Sequence, residues 1–347
     1  MKRKRLSAFA LAGIAAMVLA ACSSSGGKAA SGSSPTDTAG AGTGTGTQQT
    51  TAIKIAVFPS FNGLMAYAAL ANGSFKDQGL DVTIQTVNTP TDSAPLLDNN
   101  TIQFGLMDMT TPILAASKQK NPPYLLVAPG AVERNPDADG WSTGNVWVKK
   151  GSPITSVKDL TGKKFSIPSI NSQAWLSIRE MIDNAGGDSS KVQWVQIPDA
   201  QSSFAQLRAG SVDATTSAEP NGSTLATDSS LTHLAAMPGV DGLMAYSFVA
   251  TPSYVAKNAD VIKRFQAAML NSNKLLNTMS TDDKAALAAT VNKAWTLDIL
   301  KGARYPKYGE ALPSDNDVQT WVDRMKKYGM LDANTTFTAA DLLAKTS

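Results

Sequence analysis

The sequence predicts an α/β protein made of two similar lobes, because strand-like and helix-like segments alternate through both halves. Residues 53–58 are rich in β-branched side chains and alternate in polarity, and a Pro-Ser break separates them from residues 64–71, which have helical composition. The same order of strand, Pro-Ser loop and helix recurs at residues 164–182. Strands that alternate with helices favour open sheets with right-handed crossovers.

A second pair of segments indicates an internal duplication. Residues 97–105 and residues 207–215 each have the pattern of a helix end, a tight turn and a buried strand. This pair and the Pro-Ser pair are both separated by about 110 positions, and agreement between two offsets is what a duplication predicts. We therefore expect two open α/β sheets of similar topology.

The predicted domain order divides the first lobe into two pieces. We interpret residues 144–149 as the crossing into the second lobe and residues 243–250 as the return crossing. The first lobe is then expected over residues 52–143 and 250–347, and the second lobe over residues 144–249. Apolar residues at three- and four-residue spacing predict C-terminal helices that pack on the first lobe, at about 260–279, 281–300, 314–328 and 339–345.

The N-terminus has the pattern of a secretory signal. Four basic residues precede an apolar stretch that ends at Ala21 and is too short to span a bilayer comfortably. The four residues that end at Cys22 resemble the lipobox of bacterial lipoproteins, in which the cysteine thiol is acylated and attaches the protein durably to a membrane. We expect residues 1–21 to be a signal peptide, and residues 22–51 to be a lipidated cysteine followed by a flexible Ser/Gly/Thr linker.

The composition excludes several classes of site. Cys22 is the only cysteine and His233 is the only histidine, so the chain can form no internal disulfide, no Cys/His zinc cluster and no Cys-His dyad. Cleavage would remove four basic residues from a chain whose formal charge is +3, so no basic field suggests nucleic acid. We expect no cofactor and no metal, and we expect His233 to be structural or solvent-facing.

Motifs in a fixed order carry a family resemblance. They lie at residues 53–55, 73–82, 151–164 and 207–220. In this order they resemble the extracytoplasmic solute-binding proteins of ABC importers in the nitrate, sulfonate and taurine group, which includes binders of thiamine-pyrimidine precursors. The resemblance implies a bilobal, type II periplasmic-binding-protein-like fold without enzymatic activity. It also implies a monomer that holds a small-molecule ligand in its cleft, delivers it to ABC importer permease subunits, and is lipid-anchored outside the cytoplasm through Cys22.

Loops at the carboxyl ends of strands predict where a ligand binds, because helix N-termini there present unpaired N–H groups. Each of these loops is also consistent with a plain helix cap, and Trp175 with either a cleft wall or the core of the second lobe. Relatives often have Trp before Glu-Pro, where this chain has Ala218. The candidate ligand contacts in the four loops are Phe58, Ser60, Phe61 and Asn62; Asp108, Thr110 and Thr111; Ser169, Asn171, Ser172, Gln173 and Trp175; and Glu219.

The charges of these candidates favour one ligand class over another. Asp108 and Glu219 are opposed by one candidate cation, Arg134, so a small organic solute with a planar or amine-bearing part fits better than nitrate. One alternative is a sulfonate- or taurine-type anion binder of the same family. Pyrimidine-forming synthases share the fold but carry a cysteine-rich iron segment and an active-site histidine, and this chain has neither. A structural surface lipoprotein without a cleft is the third alternative.

Replacing Cys22 by serine tests the lipid anchor. We expect Cys22→Ser to move the protein from the membrane fraction to the soluble fraction of expressing cells without unfolding it, since the acylated thiol lies outside the predicted lobes. Ser24→Ala is the matched control and should stay with the membrane. A Cys22→Ser protein that remains in the membrane fraction would contradict the anchor.

Overall fold

The computed structural model describes residues 50–345, so the predicted signal peptide, Cys22 and nearly all of the predicted linker lie outside the described residues. The strands in this part of the chain are β1 (Thr51–Val57), β2 (Leu80–Thr86), β3 (Phe104–Asp108), β4 (Leu125–Pro129), β5 (Ala131–Val132), β6 (Gly144–Lys149), β7 (Lys164–Ile167), β8 (Gln193–Gln196), β9 (Ala214–Ala218), β10 (Leu231–Ala236), β11 (Tyr246–Ala250) and β12 (Lys307–Tyr308).

Helices follow most of these strands, as the alternating pattern predicts. Between residues 50 and 345 the helices are α1 (Leu64–Ala71), α2 (Ser74–Asp77), α3 (Ser93–Asp98), α4 (Thr110–Ala116), α5 (Gln173–Asn184), α6 (Ala200–Ala209), α7 (Asn221–Ala226), α8 (Pro252–Lys257), α9 (Ala259–Thr278), α10 (Thr281–Val291), α11 (Leu297–Gly302) and α12 (Asp315–Lys327). None of these helices is long and apolar enough to cross a membrane.

Two five-stranded sheets share one topology. The first has the order β2-β1-β3-β11-β4, and the second, taken from its other edge, has the order β8-β7-β9-β6-β10. In each sheet the first three strands are parallel and the fourth runs antiparallel to the third. The predicted pair of similar α/β sheets is therefore confirmed, and each antiparallel strand is the one that the chain forms after crossing from the other lobe.

The return of the chain to the first lobe occurs earlier than the sequence indicates. The sequence pattern predicts that residues 243–250 cross between the lobes and that the second lobe continues to residue 249. Instead, β11 lies inside the first sheet, between β3 and β4. Its apolar residues are fully buried because neighbours flank it on both sides, and Phe248 and Val249 have no exposed surface. Likewise β6, read as the first crossing, is an interior strand of the second sheet.

The segments that cross between the lobes lie at about residues 133–143 and 237–245. They pair with each other at the ends that adjoin the first lobe. Glu133 N–H donates to the Leu243 carbonyl at 2.7 Å, and Ala245 N–H donates to the Ala131 carbonyl at 3.0 Å. The two connections between the lobes thus run side by side where they meet the first lobe.

The C-terminal helices differ from the prediction in two places. The helix expected over residues 281–300 is divided into α10 and α11, because the Asn292 side chain accepts the Ala294 N–H at 3.0 Å and turns the chain. Residues 339–345 form no helix beyond a short 3-10 turn, and Leu343 makes a parallel β-bridge with Leu126 of β4. The tail packs on the first lobe through α9 and α10, as expected, but α11 also packs on α7 of the second lobe.

An aromatic cluster joins α9 to the first sheet. The Phe265 ring stacks on Phe104 of β3, with centroids 4.0 Å apart and an interplanar angle of 5°. Phe75 and Phe248 complete the cluster at 5.7 and 5.3 Å from Phe265. Phe265 has no exposed surface, so its burial ties the longest helix of the tail to the sheet that carries half of the loops at the cleft.

Truncation of Phe265 tests this packing. Phe265→Ala should lower the free energy of unfolding by about 3–5 kcal/mol, because it removes a buried ring and leaves a cavity. Leu275→Ala is the matched control on the same helix: Leu275 is 44% exposed, and we expect a loss within about 0.5 kcal/mol. Urea denaturation followed by circular dichroism measures both. Equal losses in the two variants would contradict the proposed role of the cluster.

Candidate functional site

A cleft of about 1130 Å³ lies between the two sheets. Its walls are loops that follow the carboxyl ends of the parallel strands of both sheets, which is where ligands bind in open α/β folds. The volume exceeds the usual range of small-molecule pockets, about 300 to 1000 Å³. The cleft is therefore large enough to take a small organic molecule whole.

Most of the predicted contact residues line this cleft. They come from three of the four predicted loops, two in the first lobe and one in the second, and are brought together although they are far apart in sequence. The lining residues among them are Phe58, Ser60, Asn62, Asp108, Thr111, Ser169, Asn171, Ser172 and Gln173.

Phe61, Thr110 and Trp175 are not among the lining residues, and each makes contacts within the protein. Phe61 is 1% exposed and stacks on Tyr305 with centroids 4.3 Å apart. Thr110 is fully buried and donates its hydroxyl to Asp108. Trp175 packs against Trp194 in the second lobe. The structure therefore places these three side chains in support of the cleft wall.

Glu219 also lies behind the lining and is 2% exposed. Its carboxylate accepts the Ser223 N–H at 3.0 Å and the Ser223 hydroxyl at 3.1 Å. Burial raises the pKa of the Glu219 carboxyl, and the hydrogen bonds from Ser223 act in the opposite direction. The acid that the sequence suggested for ligand recognition is thus engaged by Ser223 of its own loop and by Arg304 of the C-terminal tail.

Asp108 is the predicted acid that does line the cleft. It ends β3, it is 4% exposed, and its Oδ1 accepts the Thr111 N–H, the Thr111 hydroxyl and the Thr110 hydroxyl at 2.9, 2.9 and 2.8 Å. All three bonds end on the same oxygen, and Oδ2 takes no part in this turn. Oδ1 of Asp108 therefore fixes the start of α4, while Oδ2 accepts none of these three hydrogen bonds.

Tyr246 lines the cleft beside Asp108, at a position that no sequence motif predicts. It is the first residue of β11 and lies opposite Asp108 in the antiparallel pairing. Its ring packs on Phe58, with centroids 5.6 Å apart, and its hydroxyl is hydrogen-bonded by the Asn62 side chain. Burial raises the pKa of the Tyr246 hydroxyl, and the charge of Asp108 raises it further. The hydroxyl is therefore neutral and adds a polar group to the wall.

Glu133 is a second buried acid of the lining, and it lies outside the four predicted loops. It is 7% exposed, and the Gln173 amide nitrogen donates to its Oε1 at 3.1 Å. Arg324 of α12 contacts both oxygens of Glu133 at 3.3 Å. Because a carboxylate can only accept hydrogen bonds, the nitrogen of the Gln173 amide must be the atom that points at Glu133. The amide oxygen, Oε1, is then the acceptor that Gln173 has left for another partner.

The basic residues of the lining are peripheral. The Arg134 guanidinium pairs with Asp137 and donates to the Tyr305 carbonyl at 3.4 Å. Lys118 is exposed. The two buried charged side chains among the described lining residues, Asp108 and Glu133, are both carboxylates. Both oxygens of Glu133 are engaged by Arg324, so Asp108 is the buried acid whose second oxygen remains as an acceptor.

His233 lies outside the cleft lining. Its ring stacks on Trp141 with centroids 4.0 Å apart, and its Nε2 contacts the Asn145 side-chain oxygen at 3.0 Å. Burial lowers the pKa of His233. Within residues 50–345, no group of three or more His, Cys, Asp or Glu side chains could hold a metal ion.

The chain is similar in sequence to one curated relative. The formylaminopyrimidine-binding protein of Halalkalibacterium halodurans is 28% identical over 149 residues. The alignment covers 43% of this chain and 42% of that protein, so the chain matches less than half the length of the relative.

Solved structures with low sequence identity show the fold. The alkanesulfonate-binding protein of Xanthomonas axonopodis pv. citri, solved with MOPS, has a TM-score of 0.67 at 15% identity, over 84% of this chain and 98% of that one. The periplasmic nitrate-binding protein of Synechocystis has a TM-score of 0.64 at 13% identity, over 82% of this chain and 83% of that one. The predicted bilobal periplasmic-binding-protein-like fold is therefore confirmed.

A family model gives the same assignment from sequence. The model described as NMT1/THI5 like matches residues 60–277, which is more than half of the chain and includes the cleft loops of both lobes. The protein therefore belongs to the NMT1/THI5-like family.

Proposed function

We propose that the protein is the substrate-binding lipoprotein of an ABC importer, which captures a small organic solute in the cleft and delivers it to a membrane permease. The observation that carries this proposal is the cleft itself, in which Asp108 and Glu133 are the buried charged groups. Family membership and the names of the sulfonate-, nitrate- and formylaminopyrimidine-binding proteins support a role in solute uptake.

The acceptors of the cleft favour a ligand that carries N–H donors. Arg324 offsets part of the charge on Glu133, whereas the three bonds to Asp108 come from neutral hydroxyls and one amide N–H. A carboxylate with neutral partners binds a donor strongly, because hydrogen bonds to charged groups contribute about 1.5 to 3 kcal/mol. A planar, amine-bearing solute such as an aminopyrimidine satisfies this site, and the name of the curated relative supports that class.

A sulfonate- or taurine-type anion is the second candidate, and the structural neighbours favour it. In this cleft an anion would meet the carboxylate of Asp108, whereas Arg324 offsets part of the charge on Glu133 and the guanidinium of Arg134 is already paired with Asp137. Like charges within a few ångströms repel strongly where water is excluded. The charge distribution therefore favours the amine-bearing class.

The proposal is one of binding without chemical conversion. A pyrimidine-synthase-like enzyme of this fold would need reactive groups at the ligand, and His233, the single histidine, stacks on Trp141 away from the cleft. The polar groups of the lining are hydroxyls, amides and carboxylates suited to recognition.

The place of action follows from the N-terminal sequence. A signal peptide over residues 1–21 and acylation at Cys22 would leave the lobes outside the cytoplasm. The Ser/Gly/Thr-rich residues up to 51 would then tether them to the membrane next to the permease. A monomer with one cleft is sufficient for this task.

Replacing Asp108 by asparagine tests the ligand class. The asparagine oxygen can still accept the three bonds of the α4 turn, so the variant should fold, while the second oxygen becomes a donor group. We expect calorimetric titration with 4-aminopyrimidine to show an affinity about 10- to 100-fold lower in Asp108→Asn, for loss of a charge-assisted bond.

Glu219→Gln is the matched control, since it neutralises a buried acid that lies behind the lining and whose serine partner a glutamine can still bond. We expect its affinity to stay within about twofold of wild type, a change below 0.5 kcal/mol. Thermal melting verifies the fold of both variants. Unchanged binding in Asp108→Asn, or tighter binding of taurine by it, would contradict the amine-bearing class and favour the anion.

A further inference from the structure

One part of the cleft comes from outside the region that the family model matches. That match ends at residue 277, but Asn292, Ala294 and Trp295 also line the cleft. They belong to the turn between α10 and α11. Because α10 packs on α1 of the first lobe and α11 packs on α7 of the second, this turn lies where the two walls meet.

The turn is held in place by its own hydrogen bonds. Ala294 N–H donates to the Asn292 side-chain oxygen and Trp295 N–H donates to the Asn292 carbonyl, both at 3.0 Å. Asn292 thus fixes the backbone from which the indole projects. A side chain on such a turn loses little conformational freedom when a ligand binds.

The indole is also held by an aromatic support. Its ring packs edge-on to Phe61, with centroids 5.9 Å apart and an interplanar angle of 89°. Phe61 stacks on Tyr305, and the Tyr308 hydroxyl donates to the Phe61 carbonyl at 2.8 Å. The support is buried, whereas Trp295 is only half-buried, so part of the indole remains available to a ligand.

Trp295 is the largest aromatic side chain of the lining. The other aromatic side chains there are Phe58 and Phe204, which are 7% and 2% exposed, and Tyr246, whose ring packs on Phe58. Ala218 offers only a methyl group from the second lobe. A planar solute therefore finds in Trp295 the broadest apolar surface that the described cleft provides.

We propose that the indole of Trp295 stacks on a planar heteroaromatic ring of the solute, which makes the turn at residues 292–296 a specificity-determining wall of the site. This inference rests on the proposed function and deepens it, since it assigns the recognition of the ring to the tail while Asp108 recognises the donors. Stacking of a heterocyclic base on an aromatic side chain contributes enough to discriminate between ring-bearing and aliphatic solutes.

Trp295→Ala and Trp295→Phe test the proposal by calorimetry and tryptophan fluorescence, with 4-aminopyrimidine and taurine as the probes. For 4-aminopyrimidine we expect about a 5- to 100-fold loss of affinity in Trp295→Ala and a loss within about threefold in Trp295→Phe, which keeps an aromatic face. The emission change that the probe causes in wild type should disappear in Trp295→Phe, which reports ring contact even if the alanine variant is less stable.

Trp141→Ala is the matched control. Trp141 is also half-buried but lies outside the cleft lining, stacked on His233. It should bind 4-aminopyrimidine as wild type does and keep the emission change.

Unchanged affinity in Trp295→Ala would overturn the stacking inference and leave the proposed function intact. Equal losses in Trp295→Ala and Trp295→Phe would assign the effect to the indole N–H or to packing and would also overturn it. A wild type that binds taurine and not 4-aminopyrimidine, or binds neither, would overturn both the inference and the amine-bearing ligand class.

Discussion

The backbone pairing between the two crossing segments is the constraint on which the rest of the structure depends. Gly130 N–H donates to the Tyr246 carbonyl at 2.9 Å, and the pairing continues through Ala131 and Ala245 to Glu133 and Leu243. This pairing positions the chain that returns from the second lobe so that it joins the first sheet as β11, where Tyr246 lies opposite Asp108. The same pairing places Glu133 in the cleft lining. Fold and site therefore share one set of hydrogen bonds.

An ion-pair cluster on the tail adds a further contact between the lobes. Arg324 of α12 binds Glu180 of α5 at 2.6 Å and Glu133 of the first crossing at 3.3 Å. Burial lowers the pKa of Arg324, but hydrogen bonds and charges from these two acids outweigh that effect, so its pKa is raised. Glu133 also accepts a hydrogen bond from the Gln173 amide, so polar contacts join Arg324 of α12 to an amide of the cleft lining. The C-terminal helices thus belong to the site and not only to the first lobe.

The sequence was sufficient for features with a local signature. A strand, a Pro-Ser break and a helix within twenty residues predicted the loops that hold Ser60 and Ser169. Tyr246 and Trp295 were not predicted, because their positions depend on contacts between segments that are far apart in sequence. Tyr246 reaches the cleft because β11 is inserted into the first sheet, and Trp295 because the C-terminal helices pack on both lobes. Glu219 lies in a predicted loop, but its direction depends on bonds to Ser223 that spacing does not encode. Local sequence patterns predict the loops, and long-range packing determines which side chains face the cleft.

The central claim is that the cleft captures an amine-bearing organic solute, and mass spectrometry of small molecules released from the purified protein tests it most directly. The protein should be purified from its native host without refolding, denatured, and its supernatant compared with that of the Asp108→Asn protein prepared in parallel. The account predicts a planar, nitrogen-bearing compound near one equivalent in wild type and a reduced amount in the variant. An aliphatic sulfonate, or equal yields of the same compound from both proteins, would contradict it.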